Sequence, residues 1–160
     1  TLMSKVLLSF LITLTFLNAT EIKNLINKKN CNHIIDKDVH TIWYDYFYKG
    51  AKYVAYTLNA DLLNNGNIKE RGAFYTESNI PHKYRSNSSD YTNSGYDRGH
   101  IANDASFDYD EKAMRKTYSM SNIIPQSQLV NRNTWIKVER YERLVASKLG
   151  YVSVLNGVYM

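Results

Sequence analysis

The sequence predicts a single α+β domain, and three observations carry that prediction. Short stretches rich in β-branched and aromatic residues are separated by turn-forming clusters, as strands are: residues 52–58 (KYVAYTL), 118–124 and 151–159, with a further short strand expected at 97–102 after the loop-like stretch 81–95. One run, residues 131–149, repeats apolar residues at helical spacing. No internal repeat or long linker divides the 160 residues, a length that suits one hydrophobic core.

Lys5 precedes an apolar run over residues 6–17, which Asn18-Ala19 closes with a small residue. That order is the pattern of a secretory signal peptide. At about a dozen residues the run falls short of the roughly 20 that a membrane-spanning helix needs. Residues 1–19 are therefore expected to be a signal peptide and 20–160 the folded domain, in a periplasmic or secreted protein. Residues 21–35 mix polar and apolar types and suit a short helix or an arm. Aromatics crowd residues 41–48, the strand at 52–58 follows, and Asn64-Asn65-Gly66-Asn67 marks a turn. Arg71 and Phe74-Tyr75 open another segment, and the Ser- and Asn-rich stretch 81–95 reads as a loop leading into the strand at 97–102. Asp110 suits the N-cap of a short helix ending near Lys116. A strand at 118–124 is stopped by Pro125. The long helix, 131–149, places Trp135, Val138, Leu144, Val145 and Leu149 at helical spacing, and Gly150 ends it.

Lys+Arg number 20 against 15 Asp+Glu, a net charge of +5 that fits an anionic partner and is also ordinary for a soluble protein. The 14 tyrosines serve strands and stacking surfaces equally. Cys31 is the only cysteine, which excludes a disulfide within this chain, CxxC redox chemistry and a cysteine-based metal site.

Chemistry concentrates in Asp97-Arg98-Gly99-His100. A histidine titrates near neutrality and can accept a proton from water. Arg98, two residues away, points to the same side of a strand, and an arginine binds phosphate oxygens bidentately. Gly99 between them lets another backbone or a substrate approach closely. Downstream, Asn131, Trp135, Glu139 and Arg143 follow one another at four-residue spacing, so a helix would place them on one face. The histidines are His33, His40, His82 and His100, so a metal held by histidines on the downstream helix is excluded. Asn131 and Glu139 offer oxygen ligands instead, which suit Mg²⁺ better than zinc. Taken singly, Asn131 also suits a helix N-cap and Glu139–Arg143 a surface ion pair.

The run Tyr96-Asp97-Arg98-Gly99-His100-Ile101-Ala102-Asn103-Asp104-Ala105 resembles the active-site signature of the DNA/RNA non-specific endonucleases, the ββα-metal nucleases. The likeness continues through Ser121-Asn122-Ile123-Ile124-Pro125-Gln126 and then Asn131, Trp135, Glu139 and Arg143, covering roughly residues 50–158. It implies a central antiparallel β-sheet with a ββα-metal core formed by the strands at 97–102 and 118–124 and the helix at 131–149. By the same resemblance His100 is the general base. Asn131 is the direct ligand of one Mg²⁺, which Mn²⁺ can replace, and Glu139 holds water of the ion's shell. Arg98 stabilises the scissile phosphate region, Arg143 binds phosphate, and Asn122 supports substrate or site geometry. Arg71 matches a further phosphate-binding arginine, with Lys69 and Lys83 as competitors for that place. The resemblance implies hydrolysis of DNA and RNA to 5′-phosphate ends without sequence preference.

Members of the family continue past the strand corresponding to 151–159, so the chain is expected to be shortened at its C-terminus. Two rivals remain on the sequence. A non-catalytic nucleic-acid-binding protein at the cell surface needs the basic residues but not His100, Asn131 and Glu139 together. A small-molecule phosphoesterase needs the same chemistry in a closed pocket.

Overall fold

The computed structural model describes residue 26 and residues 31–66 and 68–159. The expected signal peptide and most of the expected arm lie outside the described residues. Strands β1 (His33–Asp36), β2 (His40–Asp45), β3 (Gly50–Asn59) and β6 (Tyr151–Gly157) form one antiparallel sheet in the order β1-β2-β3-β6. Every residue of β2 is buried, as befits a central strand covered on both faces. Its aromatic density, Trp43 and Tyr44, supplies core rather than a surface platform. A second sheet has two strands only, β4 (Asp97–His100) and β5 (Ile123–Gln126). Helices α1 (Ala60–Asn64) and α2 (Glu111–Thr117) are short, and α3 (Ile136–Leu149) is long. The α+β class, the antiparallel sheet and the ββα arrangement of β4, β5 and α3 agree with the sequence prediction.

The differences have local causes. β4 ends at His100, where Ile101 N–H turns to the Asn122 carbonyl at 3.0 Å. The strand expected at 118–124 begins later: α2 runs to Thr117, a 3₁₀ turn takes Met120–Asn122, and Pro125 lies inside β5 instead of ending it. Pro lacks an N–H to donate, and β5 tolerates it because it pairs on one side only. Gly99 has a different use from the expected approach of backbone or substrate. A Cβ there would fall 2.3 Å from Gln126 Oε1, so the glycine makes room for a buried glutamine side chain. Asp110 caps α2 as expected, Oδ1 accepting from Ala113 N–H at 2.8 Å, and Gly150 ends α3 at φ 90°.

The helical run starts before Asn131. Ser127 accepts from both Val130 N–H (Oγ, 3.3 Å) and Asn131 N–H (carbonyl, 2.9 Å), and residues Val130–Trp135 wind as a π-helical turn ahead of α3. Asn131 is therefore not the N-cap. The apolar periodicity of α3 also misleads about its inner face. Glu142 and Ala146 are its buried residues, whereas Val138, Tyr141, Leu144 and Leu149 are exposed. Glu142 is buried because Tyr56 O–H donates to its Oε2 at 2.7 Å, and Asn156 Nδ2 donates to the Tyr56 oxygen at 3.0 Å. This chain of hydrogen bonds docks α3 on β3 and β6.

His40 is buried in β2 beside Phe107, and neither ring nitrogen has a partner. Burial, then the Lys37 and Lys116 charges, push its pKa from 6.5 down to about 3. The unfolded chain takes up a proton below 6.5 that the fold refuses, so stability falls as pH drops from about 6.5 towards 3. Urea unfolding over that window should show a slope from this residue of up to about 1.4 kcal/mol per pH unit, which His40→Leu removes. An unchanged slope in the variant contradicts this assignment.

Candidate active site

Local geometry carries His100 into a crowded position. In β4, Arg98 and His100 alternate with Asp97 and Gly99, so the first two share a side. Phe74 confirms it: its ring lies 5.8 Å from the Arg98 guanidinium and 5.5 Å from the His100 ring. Tyr75 brings Phe74 there by bridging to the segment after α2, with N–H to the Tyr118 carbonyl at 3.1 Å. Tyr118 stands edge-on to His100 at 4.9 Å and donates its hydroxyl to Asp104 Oδ2 at 2.6 Å. His100 Nε2 is buried with no hydrogen-bond partner. Burial lowers the His100 pKa, Asp104 opposes that shift and Arg71 adds to it. The imidazole is thus neutral at neutral pH, and its Nε2 is uncommitted.

Arg71 reaches this place, as expected: its guanidinium lies 3.5 Å from both Asp104 Oδ2 and Asp108 Oδ2. Arg143 does not pair with Glu139 in the manner of a surface ion pair. Its Nη1 donates to Asn103 Oδ1 at 2.7 Å and Ser106 Oγ at 3.3 Å. Glu139 has its pKa raised to about 7 by burial, with Arg143 opposing and Asp104 and Glu142 reinforcing. Asp104 therefore acts electrostatically on both His100 and Glu139, which gathers β4, α3 and the loop between β4 and α2 into one field. Arg98 is half-buried, donating from Nε and Nη2 to the Ser88 carbonyl at 3.2 and 2.7 Å.

Of the two roles that the resemblance offers Asn122, its hydrogen bonds serve site geometry. Asn122 is fully buried, and both the nitrogen and the oxygen of its amide are hydrogen-bonded. Nδ2 donates to the Ala102 and Thr117 carbonyls, each at 2.9 Å, and Oδ1 accepts from Ala102 N–H at 2.9 Å. It fixes the turn after His100.

The helix is held to β4 at both ends of the strand. Asp97 accepts from Asn131 Nδ2 at 3.0 Å and from Arg132 Nε and Nη2 at 2.8 and 2.9 Å. Arg132, then Asn131, holds the Asp97 carboxyl below the usual carboxylate range. At the other end, Trp135 Nε1 donates to the His100 carbonyl at 2.9 Å. A carboxylate only accepts, so Asn131 must turn its nitrogen to Asp97, and the amide oxygen is left to face elsewhere. An amide oxygen and the Glu139 carboxylate are hard donors, a set that fits a hydrated Mg²⁺ bound through few protein ligands. Among the described residues no group of three or more His, Cys, Asp and Glu side chains is gathered for a metal, so the donors do not suit an all-protein cage. Asn103, Asp97, Tyr118 and Phe74 carry roles that residue type and spacing did not reveal. Only the position of Asn103 three residues after His100 could have drawn attention to it.

With this geometry in view, similarity to known proteins becomes decisive. The model of the DNA/RNA non-specific endonucleases matches residues 18–160. The chain belongs to that family. It is 30% identical to human mitochondrial endonuclease G over 121 residues, covering 76% of this chain and 41% of that protein. It is 36% identical to mitochondrial nuclease 1 of Schizosaccharomyces pombe over 107 residues, covering 66% and 33% respectively. A nuclease of Nostoc is 34% identical over 118 residues, covering 73% and 42%. Among solved structures, one of an EndoG/EndoGI complex matches with a TM-score of 0.72 and 27% identity, over 79% of this chain and 53% of that one. The chain thus spans well under two thirds of the length of these relatives. The fold likeness bears out the expected ββα-metal class.

The Asp97–Asn131 bond yields a measurement. Asp97→Ala frees the Asn131 amide to rotate, and calorimetric titration with Mn²⁺ should show affinity reduced by about 10–100-fold, the usual effect of losing a group that orients a ligand. Equal affinity in the variant contradicts the proposed orientation.

Proposed function

We propose that this protein is a Mg²⁺-dependent endonuclease that hydrolyses DNA and RNA with little sequence preference. The observation that carries the reading is the neutral His100, whose buried Nε2 has no partner in a setting of arginines and carboxylates. His40 also has a buried, unpartnered ring, so that feature alone does not mark a base. His100 is set apart by Asp104 and Arg71 acting on its ring and by Trp135, on the helical run of Asn131 and Glu139, bonding its carbonyl. A histidine in that setting, with a free nitrogen and a depressed pKa, is fit to accept a proton.

In the mechanism we infer, the phosphodiester is bound by Arg71 and Arg143, with Arg98 steadying the scissile region through its guanidinium. Asn103 sets the direction of the Arg143 fork before substrate arrives, which lowers the cost of ordering it. His100 Nε2 accepts the proton of the attacking water, and the in-line attack drives negative charge onto the phosphoryl oxygens facing the arginines. Asn131 and Glu139 would hold Mg²⁺, which when bound neutralises charge on the phosphoryl and leaving oxygens. Glu139 orients the water that protonates the departing 3′-oxygen, leaving 5′-phosphate ends. Contacts to phosphate carry no base identity, which accounts for cleavage without sequence preference.

Export is part of the same proposal and rests on the basic start and the apolar run at residues 6–17. Among the described residues no helix is long and apolar enough to cross a membrane. The small-phosphoesterase alternative needs a closed pocket, and the two cavities of about 580 and 330 Å³ beside β5 both open to solvent.

Plasmid DNA and RNA should be cut in Mg²⁺ and spared in EDTA. His100→Ala should slow cleavage by about 10²–10⁴-fold, the usual contribution of a general base, without loss of nucleic-acid binding. Cleavage that survives both treatments contradicts the mechanism, and binding without any cleavage by the unaltered chain favours the non-catalytic binding protein.

A further inference from the structure

Behind Arg98 lies a cavity of about 580 Å³, lined by Tyr48, Tyr91, Tyr96 and Tyr159 together with Lys49 and the apolar residues of β5. Tyr48 and Tyr96 are about half exposed and Tyr159 is exposed. A second hollow of about 330 Å³ shares Ile124, Pro125, Val158 and Tyr159 with the first and extends to Val130 and Trp135. The two form one trough around the outer edge of β5. Its near end adjoins the candidate active site through Tyr91, whose ring lies 5.8 Å from the Arg98 guanidinium. Arg98 in turn lies 5.8 Å from Phe74, the ring that packs on His100. Its far end reaches Val130, the neighbour of Asn131. The trough therefore begins beside the arginine of β4 and ends beside the asparagine of the helix, while presenting aromatic rings that the catalytic proposal does not use.

We infer that this trough is a subsite for the unpaired bases of a single-stranded nucleic acid. Every base has a π-face, so tyrosine rings hold bases without regard to sequence, and a neighbouring cation tracks the backbone. Lys49 supplies that cation at the tip of the β2–β3 hairpin. The Asp90 carboxylate, also in the lining, is occupied by the backbone N–H of Asn87 at 2.8 Å, which reduces its repulsion of a phosphate. A duplex keeps its bases paired and stacked, so it cannot offer them to the rings. The trough would thus favour single strands, and it deepens the nuclease reading by naming a substrate form.

The test is fluorescence anisotropy with the full chain in EDTA, using labelled oligothymidine, the same backbone with abasic sites, and a labelled duplex. The unaltered protein should bind oligothymidine more tightly than the abasic strand. Combining Tyr48→Ser with Tyr96→Ser should lower the ratio of single-strand to duplex affinity by about tenfold, on the scale of losing one or two stacked bases. Tyr48→Phe with Tyr96→Phe keeps the ring faces and should keep the ratio, as should Tyr141→Ser on the outer side of α3. Equal losses for single strand and duplex overturn the inference. So does an abasic strand bound as tightly as oligothymidine, a comparison that stands even if the serine variants fail to fold. If the trough instead takes an apolar peptide, ring removal leaves oligonucleotide binding unchanged, which also overturns it. Cleavage in Mg²⁺ is scored separately. Base-dependent binding without cleavage defeats the nuclease proposal and leaves the trough standing, and cleavage without base dependence does the reverse.

Discussion

The hydrogen bond from the Trp135 indole to the His100 carbonyl is the joint on which the site depends. β4 has only four residues and one pairing partner, a ribbon that is marginal on its own. The helix steadies it twice, at His100 through the indole and at Asp97 through Asn131 and Arg132. The two contacts are chemically unlike. The first satisfies a backbone acceptor at the strand's end. The second is a charge-assisted fork whose acceptor also dictates which way the Asn131 amide turns. A histidine and an asparagine far apart in the chain are thereby held in one frame before any substrate or ion arrives.

The π-helical turn at Val130–Trp135 serves the same arrangement. In an α-helix a four-residue step overshoots a full turn by about 40°, so residues four apart drift steadily around the cylinder. A π turn takes more residues per revolution, and the same step from Asn131 to Trp135 falls short instead. The two errors have opposite sign and partly cancel. Asn131, Trp135, Glu139 and Arg143 consequently stay closer to one face than uninterrupted α-helix would allow. The turn is a local departure from regular helix at the point where the alignment is needed.

Much of this was legible in the residues. His100, Arg98, Asn131, Glu139 and Arg143 stand out because few patterns place a histidine, cations and oxygen donors so close in spacing, and the outer strands at 52–58 and 151–157 follow from β-branched and aromatic runs. The failures share a cause. Val138, Leu144 and Leu149 recur at helical spacing, yet the inner face of α3 is Glu142 and Ala146, since a buried hydrogen bond to Tyr56 replaces apolar burial there. Pro125 was taken as the end of a strand because a single sequence does not reveal that β5 has a free edge. Each of these depends on long-range partners, which spacing along the chain does not encode.

The central claim is that His100 and Asn131 belong to one metal-assisted site. Paramagnetic broadening tests it most directly: Mn²⁺ is titrated into the protein at substoichiometric levels, and side-chain NMR signals are followed in the unaltered chain and in Asn131→Ala. The account predicts early loss of the Asn131 amide and His100 imidazole signals in the unaltered chain, and persistence of the His100 signal at the same Mn²⁺ concentrations in the variant. Broadening centred elsewhere, or identical broadening of His100 in both proteins, would contradict it.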